Sequence, residues 1–559
     1  MNKRTKHIPL SIEDAFCKKT LLVSGVSGFL GKVWLSMFLQ HVDEFEHLYL
    51  IVRSKGGQSA RDRFVQMVHS SFAFEPWFEN ASFEKLQHII NQKITVLEGD
   101  LSKENFGLSA FQIQEIQKTL DIMVNISGLV DFRASLEDSY NVNVKGTLHA
   151  ADFISSCDHA KLIHVSTCYV AGETEGAIVE KIEDETPRNL DFTPQKEMKW
   201  IEYAIEKTKE TYFGKEKTQE MNNFLRQRNE QKGKTQNIKQ FQRTLDQLRG
   251  KEIKQELVRI GSERAQSLGF PNTYTYTKAL AEKILKNEYA HIDYSIVRPS
   301  IVESSAKYPF PGWNEGFNTS GPIVYLVKGW FRYFPAEEEH PFDVIPVDIV
   351  AKGLTIVTAA KLIDKAAPVY HISTSFLNPF TIGDACQLSS DYYENFYRST
   401  GKTFLERYGR HRKTIATLRD HFFSSKNLLK IFSNLEKHCA SVDELPQVIR
   451  NWLKPIRSKI TLTKRKLEQA ENLLSIFKPY THDFVQIYIS KNITKFQVKE
   501  KFWKYDLVDL QWKEYWMESQ MPGLQKWCFP VIEGRNVPQM NPTKKFTTQV
   551  QDHSMEALV

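Results

Sequence analysis

A glycine-rich turn near the start of the chain limits its fold more than any other feature. TLLVSG (20–25) predicts a buried strand, and KVWLSMFLQHV (32–42) predicts a helix. Between them, Gly25, Gly28 and Gly31 recur at every third position. Glycine permits a tight turn and a close approach of backbone to a pyrophosphate, and the helix N-terminus offers free N–H groups. This strand–turn–helix context predicts a dinucleotide site, with a glycine-rich turn that binds nothing as the alternative.

Short apolar segments recur after this turn, and helical stretches separate them. The further strand candidates are 47–53, 94–100, 121–127, 161–167, 293–300 and 368–374. Such alternation is typical of an α/β protein whose parallel sheet is covered by helices on both faces. The sequence therefore predicts a doubly wound, Rossmann-type sheet.

The segment 195–265 interrupts this rhythm, because it is charged, rich in Gln and contains no strand candidate. We interpret it as a helical insertion. Residues 195–264 carry 17 Lys and Arg against 11 Asp and Glu, which accounts for nearly all of the net charge of +7. A solvated helical surface is the ordinary interpretation of such a charge pattern. A basic cap that binds the phosphates of a polyanionic ligand is the alternative.

After about residue 375 the apolar residues recur at helical spacing, as in YYENFYRSTGKTFLERY. We therefore predict a dinucleotide-binding catalytic domain over 15–374 that includes the insertion. A mainly helical C-terminal domain is predicted over 375–535, and a flexible tail over 536–559.

The ends of the second and third strands bear on the choice of cofactor. An acidic residue at the end of the second strand would bind the ribose hydroxyl of NAD, but Arg53 stands there. An arginine suits the 2′-phosphate of NADPH, while an ordinary surface arginine is the alternative. The third strand ends in Gly99-Asp100-Leu101, where a carboxylate could accept hydrogen bonds from the adenine amino group.

Two Tyr-x-x-x-Lys pairs occur, Tyr203–Lys207 and Tyr274–Lys278. A helix places residues four apart on one face, so either pair could act together. A catalytic helix in a doubly wound fold leads directly into the next strand, and only Tyr274–Lys278 does so. We therefore choose this pair, and we expect Tyr276 to pack in the interior.

The chemistry of a hydride transfer assigns roles to these groups. A tyrosine hydroxyl can hydrogen-bond to the acceptor carbonyl and then donate its proton. Its pKa of ~10 is high, and a neighbouring ammonium group is expected to lower it. Lys278 can also hold the nicotinamide ribose. In HVSTCYVAG, Ser166 and Thr167 can complete the oxyanion site, and the spacing to Gly172 favours Thr167; backbone hydrogen bonds are the alternative for both.

The six cysteines form no CxxC pair, so we expect no metal centre and no disulfide framework. This composition fits a cytoplasmic protein. Cys168 adjoins Thr167, but successive side chains on a strand point to opposite faces, and we expect this thiol to be buried filler rather than a nucleophile. No apolar run reaches the ~20 residues that span a bilayer.

Several motifs in order resemble the fatty acyl-CoA reductases, a family of extended short-chain dehydrogenases with a C-terminal "male sterility" domain. The cradle GxxGFLG, HVSTCYVAG, NTYTYTKALAE, IVRPSIV and DVIPVDIV carry the resemblance, which continues to FWKYDLVDLQWKEYWMESQMPGLQKW and covers about 18 to 530. It implies NADPH-dependent reduction of a long-chain fatty acyl-CoA to a fatty alcohol through an aldehyde.

The resemblance also implies a set of site residues. The catalytic set is Thr167, Tyr274 and Lys278, with Asn143 of NVNVKGT as the structural asparagine of the class. The implied cofactor-binding residues are Gly25, Val26, Ser27, Gly28, Phe29, Leu30, Gly31, Arg53, Asp100, Leu101 and Lys278.

Other functions remain open at this point. The enzyme could release the aldehyde, or act on acyl groups bound to a carrier protein; a nucleotide-sugar reductase or epimerase and a non-catalytic cofactor-binding scaffold are further alternatives. The aromatic segment 321–335 could line an acyl tunnel, touch a membrane surface or form an ordinary core helix. We expect no nucleic-acid partner, leave peripheral membrane contact open, and assign no oligomeric state.

Overall fold

A seven-stranded parallel sheet forms the centre of the computed structural model. Its strands are β1 (Thr20–Ser24), β2 (His47–Val52), β3 (Ile94–Glu98), β4 (Ile122–Asn125), β5 (Lys161–Val165), β6 (Tyr294–Pro299) and β7 (Val369–Ile372). All seven apolar segments of the sequence form strands of this one sheet, which confirms the predicted fold class.

The strand order is β3-β2-β1-β4-β5-β6-β7. Leu21 of β1 stands opposite both Leu48 of β2 and Ile122 of β4, so the chain order reverses on the two sides of β1. In open α/β sheets, ligands bind beyond the carboxyl ends of the strands at such a reversal. The glycine-rich turn leaves β1 at this end.

Both faces of the sheet are buried, as the alternation along β1 illustrates. Leu21 and Val23 pack into one apolar core, and Leu22 packs into the core on the opposite face. The first core also contains Trp34 and Phe38. A parallel strand covered on both sides needs mostly apolar residues, which is why these segments are rich in them.

Eleven longer helices lie within the described part of the chain. They are α1 (Phe29–His41), α2 (Ala60–Ser70), α3 (Ala110–Thr119), α4 (Gly146–Ser155), α5 (Pro194–Phe213), α6 (Lys215–Gln231), α7 (Ile238–Ser267), α8 (Thr273–Glu288), α9 (Val347–Leu362), α10 (Ile382–Ser399) and α11 (Ser425–Ala440). Short helices span Ile12–Phe16, Glu75–Asn80, Phe83–His88, Leu136–Ser139, Trp512–Glu514, Met521–Gly523 and Phe529–Ile532. No helix in the described ranges is both long and apolar enough to cross a membrane.

The insertion at 195–265 is built from α5, α6 and α7. Several of its basic side chains form ion pairs with neighbouring helices or within the insertion, including Lys209 with Glu137 and Arg264 with Glu197. The backbone of Gly261 on α7 packs closely against Thr273 at the start of α8. The insertion therefore braces the helix that carries Tyr274 and Lys278.

The C-terminal part returns to the catalytic domain through two parallel strand pairs. Gln486–Tyr488 pairs with Gly176–Ile178, and Phe496–Val498 pairs with Ile8–Leu10. Further parallel pairs join Ile301–Glu303 to Val344–Pro346 and Tyr333–Pro335 to Ile415–Thr417. Trp503 is buried in the same core as β1. The domain boundary at residues 374 and 375 stays a prediction.

The structure describes residues 7–190, 192–231, 237–315, 321, 324–325, 333–401, 415–417, 425–440, 457–465, 467–468, 471 and 483–538. Most of the aromatic segment 321–335 therefore lies outside the described residues, as does the predicted tail from residue 539 onward.

Candidate active site

The glycine turn owes its shape to three glycines with different duties. Gly25 has a φ of +82°, in the left-handed region, and a Cβ there would come within 2.6 Å of the backbone nitrogen of Ser127. A Cβ at Gly31 would collide with the carbonyl oxygen of Gly25. Gly28 has only that same carbonyl within 3.4 Å, so its exposed side is open to a ligand.

Helix α1 begins at Phe29, immediately after the turn, whereas the sequence predicted a start at residue 32. The earlier start brings the first N–H groups of the helix next to the glycines. Gly28 at the N-cap contributes no side-chain hydrogen bond. These N–H groups are consequently available to an anion such as a pyrophosphate.

A cavity of about 320 Å³ opens beyond the carboxyl ends of β1, β4, β5 and β6. It is lined by Gly25, Gly28, Phe29, Leu30, Gly31, Ile126, Gly128, Val130, Phe132, Val165, Ser166, Thr167, Tyr169, Tyr274, Lys278, Pro299, Ser300, Ile301 and Val302. The fold thus brings the glycine turn together with Thr167, Tyr274 and Lys278, which lie far away in the chain.

Lys278 is buried, and its Nζ donates a hydrogen bond to the carbonyl oxygen of Val165 at 2.8 Å. Burial lowers the pKa of Lys278 to about 8, and the carboxylate of Glu282 one turn later opposes that shift. A Cβ on Gly128 would lie 3.1 Å from the lysine Nζ. A glycine at position 128 therefore leaves room for the ammonium group under the loop that follows β4.

Asn143 lies below the cavity rather than in its wall. Its Oδ1 accepts a hydrogen bond from the backbone N–H of Leu129 at 2.8 Å, and its Nδ2 donates to Thr277 Oγ1 at 3.1 Å. The side chain thereby ties the loop after β4 to helix α8. This geometry suits a positioning residue, as the structural asparagine of the class would be.

Tyr274 and Thr167 face the same cavity and are both buried. Burial raises the pKa of Tyr274 above its usual range, and the hydrogen bond with Thr167 offsets only part of this effect. The sequence analysis expected the ammonium group to lower this pKa, and in the structure the shift has the opposite sign. The physical reason is desolvation of the phenolate, which favours the protonated form of Tyr274.

The hydroxyl of Thr167 also makes backbone contacts. Its Oγ1 accepts from the N–H of Tyr169 at 3.3 Å and lies 3.5 Å from the carbonyl oxygen of Pro299. Both interactions are long, so the hydroxyl can turn towards a stronger acceptor. The ring of Tyr274 packs against Phe132, with 5.9 Å between centroids.

The residues proposed for the adenosine end lie outside the main cavity. Arg53 is 67% exposed, and its Nη1 is 4.0 Å from Asp100 Oδ2. Asp100 Oδ1 accepts from the N–H of Ser102 at 3.0 Å. Leu101 is buried in the apolar core, and its carbonyl oxygen accepts a hydrogen bond from His149 Nδ1 at 2.7 Å. Leu101 therefore presents no free side chain to a ligand.

Two remaining residues of the turn also differ in placement. Val26 is buried in the apolar core beneath the turn. Ser27 is exposed and lines a second, smaller cavity of about 190 Å³ together with Lys32 and Arg63.

Sequence reasoning missed two residues at this site, Arg63 and Ser300, whereas Phe132 ends the segment NISGLVDF, which the family resemblance places along the cofactor. Arg63 on α2 donates to the carbonyl oxygen of Arg53, and no sequence motif pointed to it. Ser300 lines the main cavity directly after β6, and Phe132 lines it from the loop after β4. The rule that ligands meet the carboxyl ends of parallel strands could have indicated Ser300, since it lies in the motif IVRPSIV.

Three other candidates lie away from the reacting groups. Tyr276 packs between Phe192 and Phe270 and donates to Glu197 Oε2 at 2.7 Å. Tyr203 is exposed on α5. Cys168 is fully buried beside the carbonyl oxygen of Arg298, and burial raises the pKa of its thiol. A protonated thiol outside the cavity is a poor nucleophile.

One side of the cavity is built by residues from distant parts of the chain. We call residues 301–314 and 512–529 the C-terminal wall. Ile301 and Val302 line the cavity, and the later segment hydrogen-bonds to the two residues that follow them. Gln520 Nε2 donates to Glu303 Oε2 at 2.8 Å, and Tyr515 OH donates to the carbonyl oxygen of Ser304 at 2.8 Å.

The fit of a dinucleotide to this site follows from the geometry. The turn offers an open glycine and a free helix N-terminus, and α8 places the buried Lys278 beside the same cavity. The fold and the site define a nicotinamide-dependent oxidoreductase with a doubly wound sheet.

The family model described as male sterility protein matches residues 23–354, and the chain belongs to this family. The match confirms the resemblance drawn from the sequence motifs. The chain is similar to a probable fatty acyl-CoA reductase 5 of Arabidopsis thaliana, with 27% identity over 90% of this chain and 96% of the relative. It is also similar to an alcohol-forming fatty acyl-CoA reductase of Simmondsia chinensis, with 26% identity over 92% and 98% of the two chains.

Among solved structures, the terminal reductase domain of the myxalamid biosynthetic pathway matches with a TM-score of 0.43 and 16% identity. That match covers 70% of this chain and 77% of the other.

Proposed function

We propose that the protein reduces a long-chain fatty acyl-CoA to a fatty alcohol through an aldehyde, with NADPH as hydride donor. The observation that carries this proposal is the cavity that joins the glycine turn to Tyr274, Thr167 and Lys278. The names of the relatives in Arabidopsis thaliana and Simmondsia chinensis support the acyl-CoA substrate, and the second supports the alcohol product.

The choice of NADPH is supported by the charges around the end of β2. Arg53 is exposed there, and Arg63 lies against its carbonyl oxygen. Two guanidinium groups match the 2′-phosphate that distinguishes NADPH from NADH, because each presents a fork of donors to phosphate oxygens. Lys32 and Ser27 line the neighbouring small cavity and add donors on the same side.

The protein groups then have the following roles. When bound, the reduced nicotinamide supplies a hydride to the carbonyl carbon of the thioester. Tyr274 and Thr167 donate hydrogen bonds to the carbonyl oxygen, and Tyr274 transfers its proton as the carbon–oxygen double bond becomes single. The resulting hemithioacetal releases the CoA thiol and leaves an aldehyde, which a second hydride and a second proton convert to the alcohol.

Lys278 serves as a cation at the bottom of this site. Its ammonium group can hold the ribose of the bound cofactor and favour the negative charge that forms on Tyr274 after proton transfer. The aromatic and aliphatic side chains of Phe29, Val130, Phe132 and Ile301 give the cavity an apolar wall that suits an acyl chain.

The test mixes the purified protein with NADPH and a long-chain acyl-CoA, and counts the NADPH oxidised per CoA thiol released. We expect two NADPH per thiol, which corresponds to an alcohol product. One per thiol would overturn the alcohol and indicate a released aldehyde. No oxidation by correctly folded protein would overturn the acyl-CoA substrate and direct attention to carrier-bound acyl groups. NADH replaces NADPH in a parallel reaction, and equal kcat/KM values would overturn the cofactor preference.

A further inference from the structure

A buried ion pair lies one helical turn beyond Lys278. Glu282 follows Lys278 by four positions on α8, so the two side chains share a face of the helix. Arg298 on β6 donates from Nε to Glu282 Oε1 at 3.0 Å and from Nη2 to Oε2. Glu282 is 1% exposed and Arg298 is 3% exposed. Lys278 therefore stands beside a carboxylate that a guanidinium group holds by two hydrogen bonds.

Stability alone is a weak reason for such a pair. Leu280, Ile284 and Ile296 pack into the apolar core on this face of the sheet. Because the desolvation cost of two buried charges offsets most of their attraction, an apolar pair of similar volume is often as stable. Neither Glu282 nor Arg298 is among the described residues that line the main cavity. The pair can nevertheless act on the cavity through the charge of Lys278.

A histidine completes the surroundings of the guanidinium group. His371 Nε2 on β7 lies 3.2 Å from Arg298 Nη1, and His371 Nδ1 lies 3.2 Å from the carbonyl oxygen of Ile489. Burial and the nearby Arg298 lower the pKa of His371 to about 3. The neutral imidazole accepts at Nε2 and donates from Nδ1 in this arrangement. Within the described chain, the ion pair of Arg298 is with Glu282.

The other titratable groups near Lys278 have pKa values that burial moves away from its own. Burial lowers the pKa of His164 on β5, and it raises the pKa values of Tyr274 on α8 and of Cys168 after β5. The pair itself is also in the field of Cys168, Glu183 and Tyr294. Burial lowers the pKa of Lys278 to about 8. Lys278 is therefore the member of this set that changes charge near pH 8.

Each charge of the pair acts on the ammonium group with its own sign. The carboxylate of Glu282 favours the protonated form of Lys278, whereas the guanidinium group of Arg298 disfavours it. We propose that Glu282 is a positioning residue that keeps Lys278 a cation beside the cofactor, and that Arg298 limits this effect. The inference rests on the role that the proposed function gives to Lys278. It requires no contact of the pair with the cofactor or the acyl group.

The test measures the dissociation constant of NADPH between about pH 6 and about pH 10 by nicotinamide fluorescence, without acyl-CoA. It compares the wild type with Glu282→Gln, Arg298→Met and the double variant. Glutamine keeps an acceptor for the guanidinium group, and methionine keeps a long side chain. Glu197→Gln is the matched control. Glu197 is also buried, accepts from Arg264 Nε at 3.1 Å and touches α8, but its contact there is Tyr276.

We call the pH at which the affinity for NADPH begins to fall the break, and we expect it at about pH 8 in the wild type. Glu282→Gln should lower the break by about one pH unit, and Arg298→Met should raise it by about one pH unit. Loss of either partner destabilises the protein, so a merely structural role would not produce shifts of opposite sign. Glu197→Gln should leave the break unmoved.

The double variant leaves no charge of the pair buried without its partner, so it is the safest of the three for folding. Its break should lie between those of the single variants and about half a pH unit below that of the wild type, because Lys278 loses the carboxylate on its own helix.

Several results would overturn the assignment. They are a wild type without a break, a break that Glu282→Gln does not move, and shifts of the same sign in both single variants. If the single variants fail to fold, an unmoved break in the double variant would have the same meaning. Shifts as expected in a protein that reduces no acyl-CoA would overturn the proposed function and leave this inference standing. Reduction of acyl-CoA with an unmoved break would overturn this inference alone.

Discussion

The cofactor side of the cavity and the C-terminal wall both shape the site, but the first does so through residues close in sequence and the second through residues far apart. On the cofactor side, Gly25, Gly28 and Gly31 lie within one turn, and each shapes the next. In the C-terminal wall, Glu303 meets Gln520 and Ser304 meets Tyr515 across more than 200 positions. The first region is encoded locally and the second through long-range contacts, so the first can be recognised in a sequence and the second cannot.

The largest effect should come from Tyr274, which lies on α8 and faces the cavity between the cofactor side and the C-terminal wall. Tyr274→Phe removes the proton donor, and we expect kcat to fall by about 10³-fold, within the 10²–10⁴ typical of general acid catalysis. NADPH affinity should stay within about twofold, because both sides of the cavity keep their shape. Tyr276→Phe is the control, since it removes a hydroxyl two positions later that bonds to Glu197. A Tyr274→Phe variant that retains a tenth of the activity would contradict the assignment.

A matched pair of glycine substitutions compares the two sides directly. A Cβ at Gly31 would collide with the carbonyl oxygen of Gly25, and a Cβ at Gly523 would collide with that of Gly312. Each collision should cost about 1–3 kcal/mol of unfolding free energy, the usual range for overpacking. We expect Gly31→Ala to weaken NADPH binding and Gly523→Ala to raise the KM for acyl-CoA.

Denaturant unfolding and fluorescence titration measure these two effects. The comparison between the sides would be broken if Gly523→Ala weakened NADPH binding as strongly as Gly31→Ala does.

The pH dependence of cofactor use should report Lys278. Because burial lowers its pKa to about 8, the side chain is a cation below that pH and becomes neutral above it. We therefore expect kcat/KM for NADPH to decline above about pH 8, by up to about tenfold per pH unit. In Lys278→Arg the guanidinium stays charged, so the decline should vanish although the absolute rate is lower. A wild-type profile that stays flat to pH 10 would refute this.

The same shift has a consequence for stability. Between about pH 8 and the ordinary lysine range, the unfolded chain binds a proton that the folded protein does not. The contribution of Lys278 to the free energy of unfolding therefore rises with pH across that window.

The smallest effect should come from the polar contacts of the C-terminal wall. Gln520→Met keeps the side-chain length but removes the hydrogen bonds to Glu303 and Ser304, and we expect a loss of about 1 kcal/mol of unfolding free energy. Gln511→Met, in an exposed part of the same segment, should change it by less than about 0.5 kcal/mol. If both variants lost the same unfolding free energy, the buried hydrogen bonds of Gln520 would contribute no more than the exposed one of Gln511.

The fold was predictable because its information is local. Each of the seven strands is rich in apolar residues, as a parallel strand buried on both faces requires. The glycine turn was recognisable for the same reason, since Gly25, Gly28 and Gly31 lie close together in the sequence. The start of α1 was placed three residues late, because Phe29 and Leu30 can continue a turn or begin a helix equally well.

The site was only partly predictable. Tyr274, Lys278 and Thr167 could be chosen from their motifs, and the fold places them around one cavity. Arg63 carries no local pattern, because its importance comes from what lies next to it in space. Ser300 stands at a strand end in IVRPSIV, but the motif alone does not set it apart from its neighbours. The direction of the pKa shift of Tyr274 was also out of reach, since it depends on desolvation by residues that the spacing does not reveal.

By itself, the sequence determined the strand–turn–helix cradle and the doubly wound sheet, and it singled out Tyr274–Lys278 as the predicted reactive pair. These depend on side-chain size, backbone freedom and periodicity within a few residues. The tertiary structure alone decided how the two segments of the C-terminal wall meet, and how burial shifts the pKa values of Lys278 and Tyr274. Those contacts and pKa shifts depend on residues that only folding brings together, so no single segment of the sequence reveals them.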